Sequence, residues 1–359
     1  MSKKTVVVGM SGGVDSSVCA YLLKEQGYNV IGITMQLVGE DPLASDERPA
    51  PCCGNEAFKD ALRVAFHLGI PHHVIDFKNE FKENVIDYFI DEYLHGHTPN
   101  PCIACNRHLK WGSLLNKAKE LGADYIATGH YARVIKLDNG RFAIRNSVTA
   151  EKDQTYALFN LTQEQISHTL MPVGEHDKNQ VREIAKEIGL NVASKPDSQE
   201  ICFVMDNDYA SYIERETNCP SLCGNFIDSE GNILGTHKGI THYTIGQRKG
   251  LGISLGRRIF VTNIDPDNNT VTLGENEDLF THTLTAKNIN FMGAESLEAG
   301  DEFTGKIRYN DKGTPCRVIS CENDILKVEF ENKVRAVTPG QALVLYKDGY
   351  VAAGGTIVS

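Results

Sequence analysis

"VVVGMSGGVDSS", residues 6–17, decides the fold of the first half of the chain. Its leading valines read as a buried strand, and "DSSVCAYLLKEQG" (15–27) reads as a helix that ends at Gly27. Between them, Ser11, Gly12 and Gly13 make a small-residue turn whose backbone can approach an anion closely. The helix that follows points its free N–H groups and positive dipole end at the same spot, so the junction suits a phosphate. It is not a Walker A loop, because no Gly-Lys-Ser/Thr follows and the lysine that holds β- and γ-phosphates is missing. Gly9, Gly12 and Gly13 also fail the G-x-G-x-x-G spacing of a dinucleotide site.

Outward from this junction, strand-like and helix-like segments alternate. "NVIGITMQ" (29–36), a helix around 56–69, "PHHVIDF" (71–77), helices over 79–94 and 105–122, and "ADYIATGH" (123–130) predict a doubly wound parallel α/β domain over 1–206. After Asp206 the texture changes. One helix-like stretch, "DYASYIERE" (208–216), leads into hairpin-like "FIDSEGNIL" (226–234) and "IFVTNIDPDNNTVTL" (259–273), a small mixed domain over 207–280. "DEFTGKIRY" (301–309), "TPCRVISCENDILKVEF" (314–330) and "QALVLYKDGYVAAGGTIV" (341–358) then predict a C-terminal β-barrel over 281–359.

With 359 residues, 41% hydrophobic and 23% charged, the chain has an ordinary globular composition. No window approaches the roughly 20 apolar residues of a membrane span. The apolar run near the N-terminus stops without a small-residue cleavage site and reads as the first strand. The expected location is the cytoplasm, with no membrane partner. There thiols stay reduced, so the ten cysteines point to reactive or metal-binding roles. A net charge of −11 argues against a globally basic nucleic-acid binder. Yet Gly231 to Ile264 holds Lys238, Arg248, Lys249, Arg257 and Arg258, with His237 and His242 between them and no Asp or Glu. That stretch is either a solvated loop or a phosphate-contacting surface.

S-G-G-x-D-S resembles the PP-loop of ATP pyrophosphatases, which break ATP between the α- and β-phosphates. Linking AMP to a carbonyl oxygen makes that oxygen a competent leaving group, while Mg²⁺ neutralises the departing diphosphate. Asp15 is a candidate to hold that Mg²⁺ through water, the alternative being a plain acid in a first helical turn. "TPNPCIACNR" (98–107) adds a C-x-x-C. Cys105 lies at the expected start of a helix, with Arg107, His108 and Lys110 nearby, surroundings that favour a thiolate. Cys202, in "KPDSQEICFV" (195–204), has Lys195 upstream. Taken alone, either cysteine also reads as a small buried apolar residue.

Together, "GMSGGVDS", "CCG" at 52–54, "TPNPCIACN", "ATGHYAR", "EKDQTYAL", "KPDSQEICF", "GQRKGLG", "KIRY" and "TPGQALVLY" resemble, in order along nearly the whole chain, the tRNA-specific 2-thiouridylases of the MnmA type. The resemblance implies sulfur transfer to C2 of the wobble uridine in tRNAs for Lys, Glu and Gln, after ATP adenylates the uridine O2. It makes Cys202 the persulfide cysteine and Cys105 the second catalytic cysteine, with a disulfide between them at the end and a sulfur donor protein as partner. ATP contacts would come from Gly9, Met10, Ser11, Gly12, Gly13, Val14, Asp15 and Ser16, with Met35 near the adenine and Gly129 close to the nucleotide. Contacts to the tRNA anticodon arm would come from Asn100, Pro101, Cys102, His130, Lys152, Asp153, Gln154, Arg308, Tyr309 and Gln341. By residue pattern alone, Arg308 and Tyr309 alternate on a barrel strand and Gln341 sits in a turn after Pro339.

One position departs from the family pattern. Where it reads N-P-D-x-x-C, Cys102 stands in place of the aspartate. Cys102, Cys105 and Cys202 are therefore candidate ligands of a 4Fe-4S cluster whose fourth iron would carry sulfide, an alternative to the persulfide route. A zinc site adding Cys219 and Cys223 has poor spacing, and Cys52 and Cys53 have no assigned chemistry. Two other readings stay open: another PP-loop synthetase, which needs neither paired cysteines nor a barrel, and a non-catalytic RNA-binding protein.

Overall fold

The computed structural model describes residues 3–39, 55–194, 201–204, 206, 208–254 and 256–359; "CCG" at 52–54 and Lys195 lie outside them. The helices are α1 (Val14–Glu25), α2 (Asn55–Leu68), α3 (Lys78–Phe81), α4 (Asp87–Leu94), α5 (Pro101–Ala104), α6 (Leu115–Glu120), α7 (Gln163–Ser167), α8 (Lys178–Glu187) and α9 (Tyr209–Thr217). The strands of the first half are β1 (Thr5–Gly9), β2 (Asn29–Gln36), β3 (His72–Asp76), β4 (Tyr125–Ala127), β5 (Ala132–Lys136), β6 (Phe142–Asn146) and β7 (Thr169–Leu170). Those of the second are β8 (Gly224–Ile227), β9 (Ile233–His237), β10 (Phe260–Asp265), β11 (Thr270–Gly274), β12 (Phe280–Phe291), β13 (Glu302–Lys306), β14 (Thr314–Glu322), β15 (Ile325–Arg335), β16 (Ala342–Lys347) and β17 (Tyr350–Ile357).

The chain condenses into two compact units: residues 1–85, 102–205 and 348–352 in one, and 86–101, 206–347 and 353–359 in the other. The first is built on a sheet of order β3-β2-β1-β4-β7. Every pair in it is parallel, with Val8 beside Gly32 on one side and Ala127 on the other. Val6 and Val8 are fully buried and share a core with Val18 of α1, Ala61 of α2 and Val181 of α8. At about 25 cal/mol per Å² of buried apolar surface, this face is what holds the short strands in place. Strand order reverses between β1 and β4, so the loops leaving their carboxyl ends open onto the crevice where such sheets bind ligands. The antiparallel hairpin β5–β6 belongs to the same unit, and Tyr350 pairs with Arg145 at its edge.

The second unit holds a four-stranded sheet, β10-β11-β8-β9, around Phe226, Tyr243, Val261 and Val271. It also holds a six-stranded barrel in which β12 pairs with both β15 and β17, closing the ring. Leu284, Val328, Phe330, Leu343 and Leu345 fill that barrel, and closure removes the exposed edges of its strands. Among the described residues, no helix is long and apolar enough to cross a membrane.

Candidate active site

Residues 10–13 link β1 to α1. Met10 N–H donates to Ile33 O (2.8 Å) and Thr34 Oγ1 donates to Met10 O (2.8 Å), which fixes the turn to β2. Gly12 has φ +72°, and a Cβ there would lie 2.3 Å from the Ala57 carbonyl oxygen. Only glycine fits on both counts. Gly13 enters α1 in an extended conformation without a side-chain cap, leaving the first-turn amides to a ligand. Ser16 and Ser17 Oγ donate back to Gly13 O (3.2 and 2.8 Å), and Ser11 N–H donates to Ser16 Oγ (3.2 Å). Met10 and Val14 are 2% and 3% exposed, so among the expected nucleotide contacts these two can contribute only backbone. Met35 is half-buried on β2 beside Ile75.

Gly129 follows β4 across the strand-order reversal. A Cβ on it would lie 2.6 Å from both Asp15 C and Ser16 N, so absence of a side chain lets this turn sit against the start of α1. The carboxylate of Asp15 is engaged: Oδ1 accepts from Tyr131 OH (2.7 Å) and from Lys178 Nζ (2.8 Å), and Oδ2 also accepts from Lys178 Nζ (3.0 Å). Neither Tyr131 nor Lys178 was among the expected site residues. The Asp15 carboxylate and the exposed Ser11 hydroxyl are hard oxygens of the kind Mg²⁺ takes, and few are needed because that ion keeps several waters.

Cys102 is exposed, and Cys105 and Cys202 are half-buried. Helical structure begins at Pro101, so Cys105 opens its second turn, not its first. From Cys105 to Leu114 the run is π-helical, with i→i+5 hydrogen bonds that bring positions five apart onto one side, Cys105 and Lys110 among them. Cys202 occupies a turn at 201–204, closed by Val204 N–H on Ile201 O (3.0 Å) and anchored by buried Phe203, whose ring meets Phe81 edge-on at 5.7 Å. Asn106, 2% exposed, donates Nδ2–H to Ala157 O (2.8 Å) and accepts from Lys110 Nζ (2.8 Å). Lys110 Nζ also lies 3.4 Å from His130 Nε2. An ammonium can only donate, so Nε2 accepts and Nδ1 carries the proton toward Thr128 Oγ1, 2.7 Å away. Desolvation first, and the Lys110 charge second, hold the His130 pKa well below the usual histidine value, leaving a neutral ring.

The other residues expected at tRNA divide into engaged and exposed ones. Asp153 accepts from Ser147 N–H (3.0 Å), Thr155 N–H (3.2 Å) and Thr155 Oγ1 (2.5 Å), and Gln154 Oε1 accepts from Tyr131 N–H (2.9 Å). Both carbonyl-bearing side chains brace the segment from within. Lys152 is half-buried. In the second unit, β13 ends at Lys306, so Arg308 and Tyr309 lie in the following turn and do not alternate on a strand. Arg308 donates to Arg335 O, and Tyr309 is 42% exposed. Gln341 does sit in the turn after Pro339. It donates Nε2–H to Thr98 O (2.7 Å), while Thr98 N–H donates to Pro339 O (2.9 Å), a two-way clasp on the segment carrying Asn100 (half-buried) and Pro101 (buried). Lys238, Arg248, Lys249, Arg257 and Arg258 are all exposed, and Arg257 pairs with Glu275. His237 is not part of that basic surface: it is 1% exposed, packed between Phe226 and Tyr243, and satisfied by Asn269 O and Gly239 N–H.

Among the described residues, no three His, Cys, Asp or Glu side chains are grouped to hold a metal ion. A 4Fe-4S cluster on Cys102, Cys105 and Cys202, and a zinc site with Cys219 and Cys223, therefore lack support, since either needs several thiolates converging on one point.

Three family profiles cover the chain end to end: a "tRNA methyl transferase HUP domain" at 4–206, a "tRNA methyl transferase PRC-barrel domain" at 210–275, and an "Aminomethyltransferase beta-barrel domain" at 281–357. The chain is 59% identical over 355 residues, 99% of both chains, to the tRNA-specific 2-thiouridylase MnmA of Lachnoclostridium phytofermentans. It is 56% identical to that of Clostridium perfringens, covering 100% of this chain and 99% of the relative, and 54% identical to that of Clostridioides difficile, covering 100% and 98%. With identity this high over essentially full length, the chain belongs to the tRNA-specific 2-thiouridylase family of the MnmA type.

Proposed function

We propose that this chain is a cytoplasmic tRNA-uridine 2-sulfurtransferase that thiolates C2 of the wobble uridine in tRNAs for Lys, Glu and Gln. The observation that carries the reading is a phosphate turn of small residues at the strand-order reversal, in the same compact unit as two half-buried cysteines. In this reading the amides of residues 9–16 hold the triphosphate, Met35 and Gly129 border the nucleotide, and uridine O2 attacks the α-phosphorus so that diphosphate departs. Asp15 would hold Mg²⁺ through water, and the ion would supply positive charge to offset that of the leaving diphosphate. A donor protein charges Cys202 with sulfur. The terminal persulfide sulfur adds to C2, and collapse expels AMP and leaves a C2–S–S–Cys202 linkage. The Cys105 thiolate then attacks the Cys202 sulfur, the S–S electron pair departs with the thiouridine, and a Cys105–Cys202 disulfide remains for an external thiol to reduce.

Domain roles follow the same division: residues 1–206 activate and thiolate, while 207–280 and 281–359 bind the anticodon arm. The five exposed bases suit phosphate contacts. Asn100, Pro101, Cys102, His130, Lys152, Asp153, Gln154, Arg308, Tyr309 and Gln341 are, in this reading, the contacts to the tRNA anticodon arm. A wobble uridine is single-stranded and can be splayed out of the anticodon loop for chemistry at C2. Nucleoside mass spectrometry on cells lacking this chain tests the reading. Loss of 2-thiouridine from those three tRNAs, restored by the wild-type chain, is expected; an unchanged thiouridine content would refute it.

A further inference from the structure

The phosphate turn carries no lysine of its own, yet a lysine stands beside it. Lys178 is the first residue of α8, 163 positions from Asp15 in sequence. Its backbone is fixed by a reciprocal cap: Asp177 Oδ1 accepts from Asn179 and Gln180 N–H (2.8 and 2.9 Å), and Gln180 Oε1 accepts from Asp177 N–H (2.9 Å). Val181 and Ala185, both fully buried, seat the helix in the core of the first unit. From that anchor the Lys178 side chain passes over the Tyr131 ring, 5.7 Å from its centre, and ends on both oxygens of Asp15. The side chain of Lys178 is only 12% exposed, while Asp15 is 30% exposed.

Burying an ammonium to this degree is costly, and a pair of this kind contributes little net stability. Its location is what distinguishes it. Asp15 is the second residue of α1, inside the first turn whose amides face the phosphate site. The Asp15 carboxylate thus presents to Lys178 the geometry of two oxygens on one centre, as a phosphate does.

We propose that Lys178 is the phosphate-binding cation of this site, supplied from α8 in place of the lysine the turn lacks, and that Asp15 holds it ready until the triphosphate arrives. The proposal rests on ATP occupying the turn at residues 9–16. On binding, the ammonium exchanges the carboxylate for an oxygen of the β- or γ-phosphate, a short swing for a four-carbon stem, and Asp15 is freed for the hydrated metal.

Calorimetric titration of ATP and of AMP into the full-length wild type, Lys178→Met and Lys178→Arg proteins tests this. AMP lacks the phosphates that Lys178 would hold, so it reports whether the turn and the protein are intact. Lys178→Met is expected to weaken ATP binding by about 10–100-fold, the loss of one charge-assisted contact, with AMP binding little changed and Lys178→Arg recovering most of the ATP affinity. Equal weakening of ATP and AMP, or no weakening of either, would overturn the proposal and leave Lys178 a structural partner of Asp15. A wild-type protein that binds AMP and ATP equally would overturn it as well. One that binds neither would remove the nucleotide reading of the turn on which it rests.

Discussion

Alanine at Cys202 is expected to abolish thiolation of tRNA, lowering turnover by at least about 1,000-fold, and alanine at Cys105 to do the same at a different stage. Both side chains are small and half-buried, and the turn at 201–204 is held by Phe203 on Phe81, so the substitutions remove sulfur chemistry without removing packing. The two variants separate by what accumulates. With Cys105→Ala, Cys202 still gains one sulfur atom from the donor, visible in the intact mass, but the sulfur stays on the protein or on an unresolved adduct with tRNA. With Cys202→Ala no persulfide forms at that site, and adenylation stops after at most one AMP per site. Full activity in either variant would remove the cysteine route and favour a PP-loop synthetase of another kind.

Gly12→Ala is expected to eliminate ATP-dependent activity with comparable severity. The backbone at Gly12 has φ +72°, which costs an L-residue about 1–2 kcal/mol. The larger obstacle is steric, because the new Cβ would lie 2.3 Å from Ala57 O and 2.9 Å from Ala57 C and Cα, main-chain atoms that cannot rotate away. Either the turn or α2 must shift, and a turn displaced by an ångström no longer aims its amides at one anion. ATP affinity measured by titration should fall at least about 100-fold, about 2.7 kcal/mol. Wild-type affinity in a folded Gly12→Ala protein would mean that the turn does not grip phosphate.

The parallel sheet was legible because β1, β2 and β4 are short apolar runs bounded by glycine, and because the phosphate turn sits where a strand must hand over to a helix. The barrel was legible from period-2 alternation, as in β15 where Leu326, Val328 and Phe330 point inward. Other features carried weaker signals. The β5–β6 hairpin turns on Asp138-Asn139-Gly140, a strong local signature, but periodicity along "ATGHYAR" alone passes over it. Helix α8 announces itself by Asp177 and Gln180 at capping-box spacing, yet nothing local says that its first lysine reaches Asp15. That approach is a tertiary fact, and so is the burial of His237, whose basic neighbours suggest a surface.

Motif matching also treats a residue as a unit, whereas the fold splits it. Met10 and Val14 give their side chains to the core and only their backbone to the turn. Asp153, Gln154 and Gln341 spend side-chain hydrogen bonds on neighbouring backbone. The π-helical geometry of Cys105–Leu114 has no counterpart in the apolar spacing, which fits an ordinary α-helix.

The central claim is that the turn between β1 and α1 binds ATP so that an oxygen of tRNA is adenylated before sulfur arrives. Purified protein, ATP labelled in the α- and γ-phosphates and unmodified tRNA transcript, analysed for products, test it most directly. Diphosphate and tRNA-linked AMP are expected in equal amounts, formed only when tRNA is present. ADP and orthophosphate in their place would contradict it.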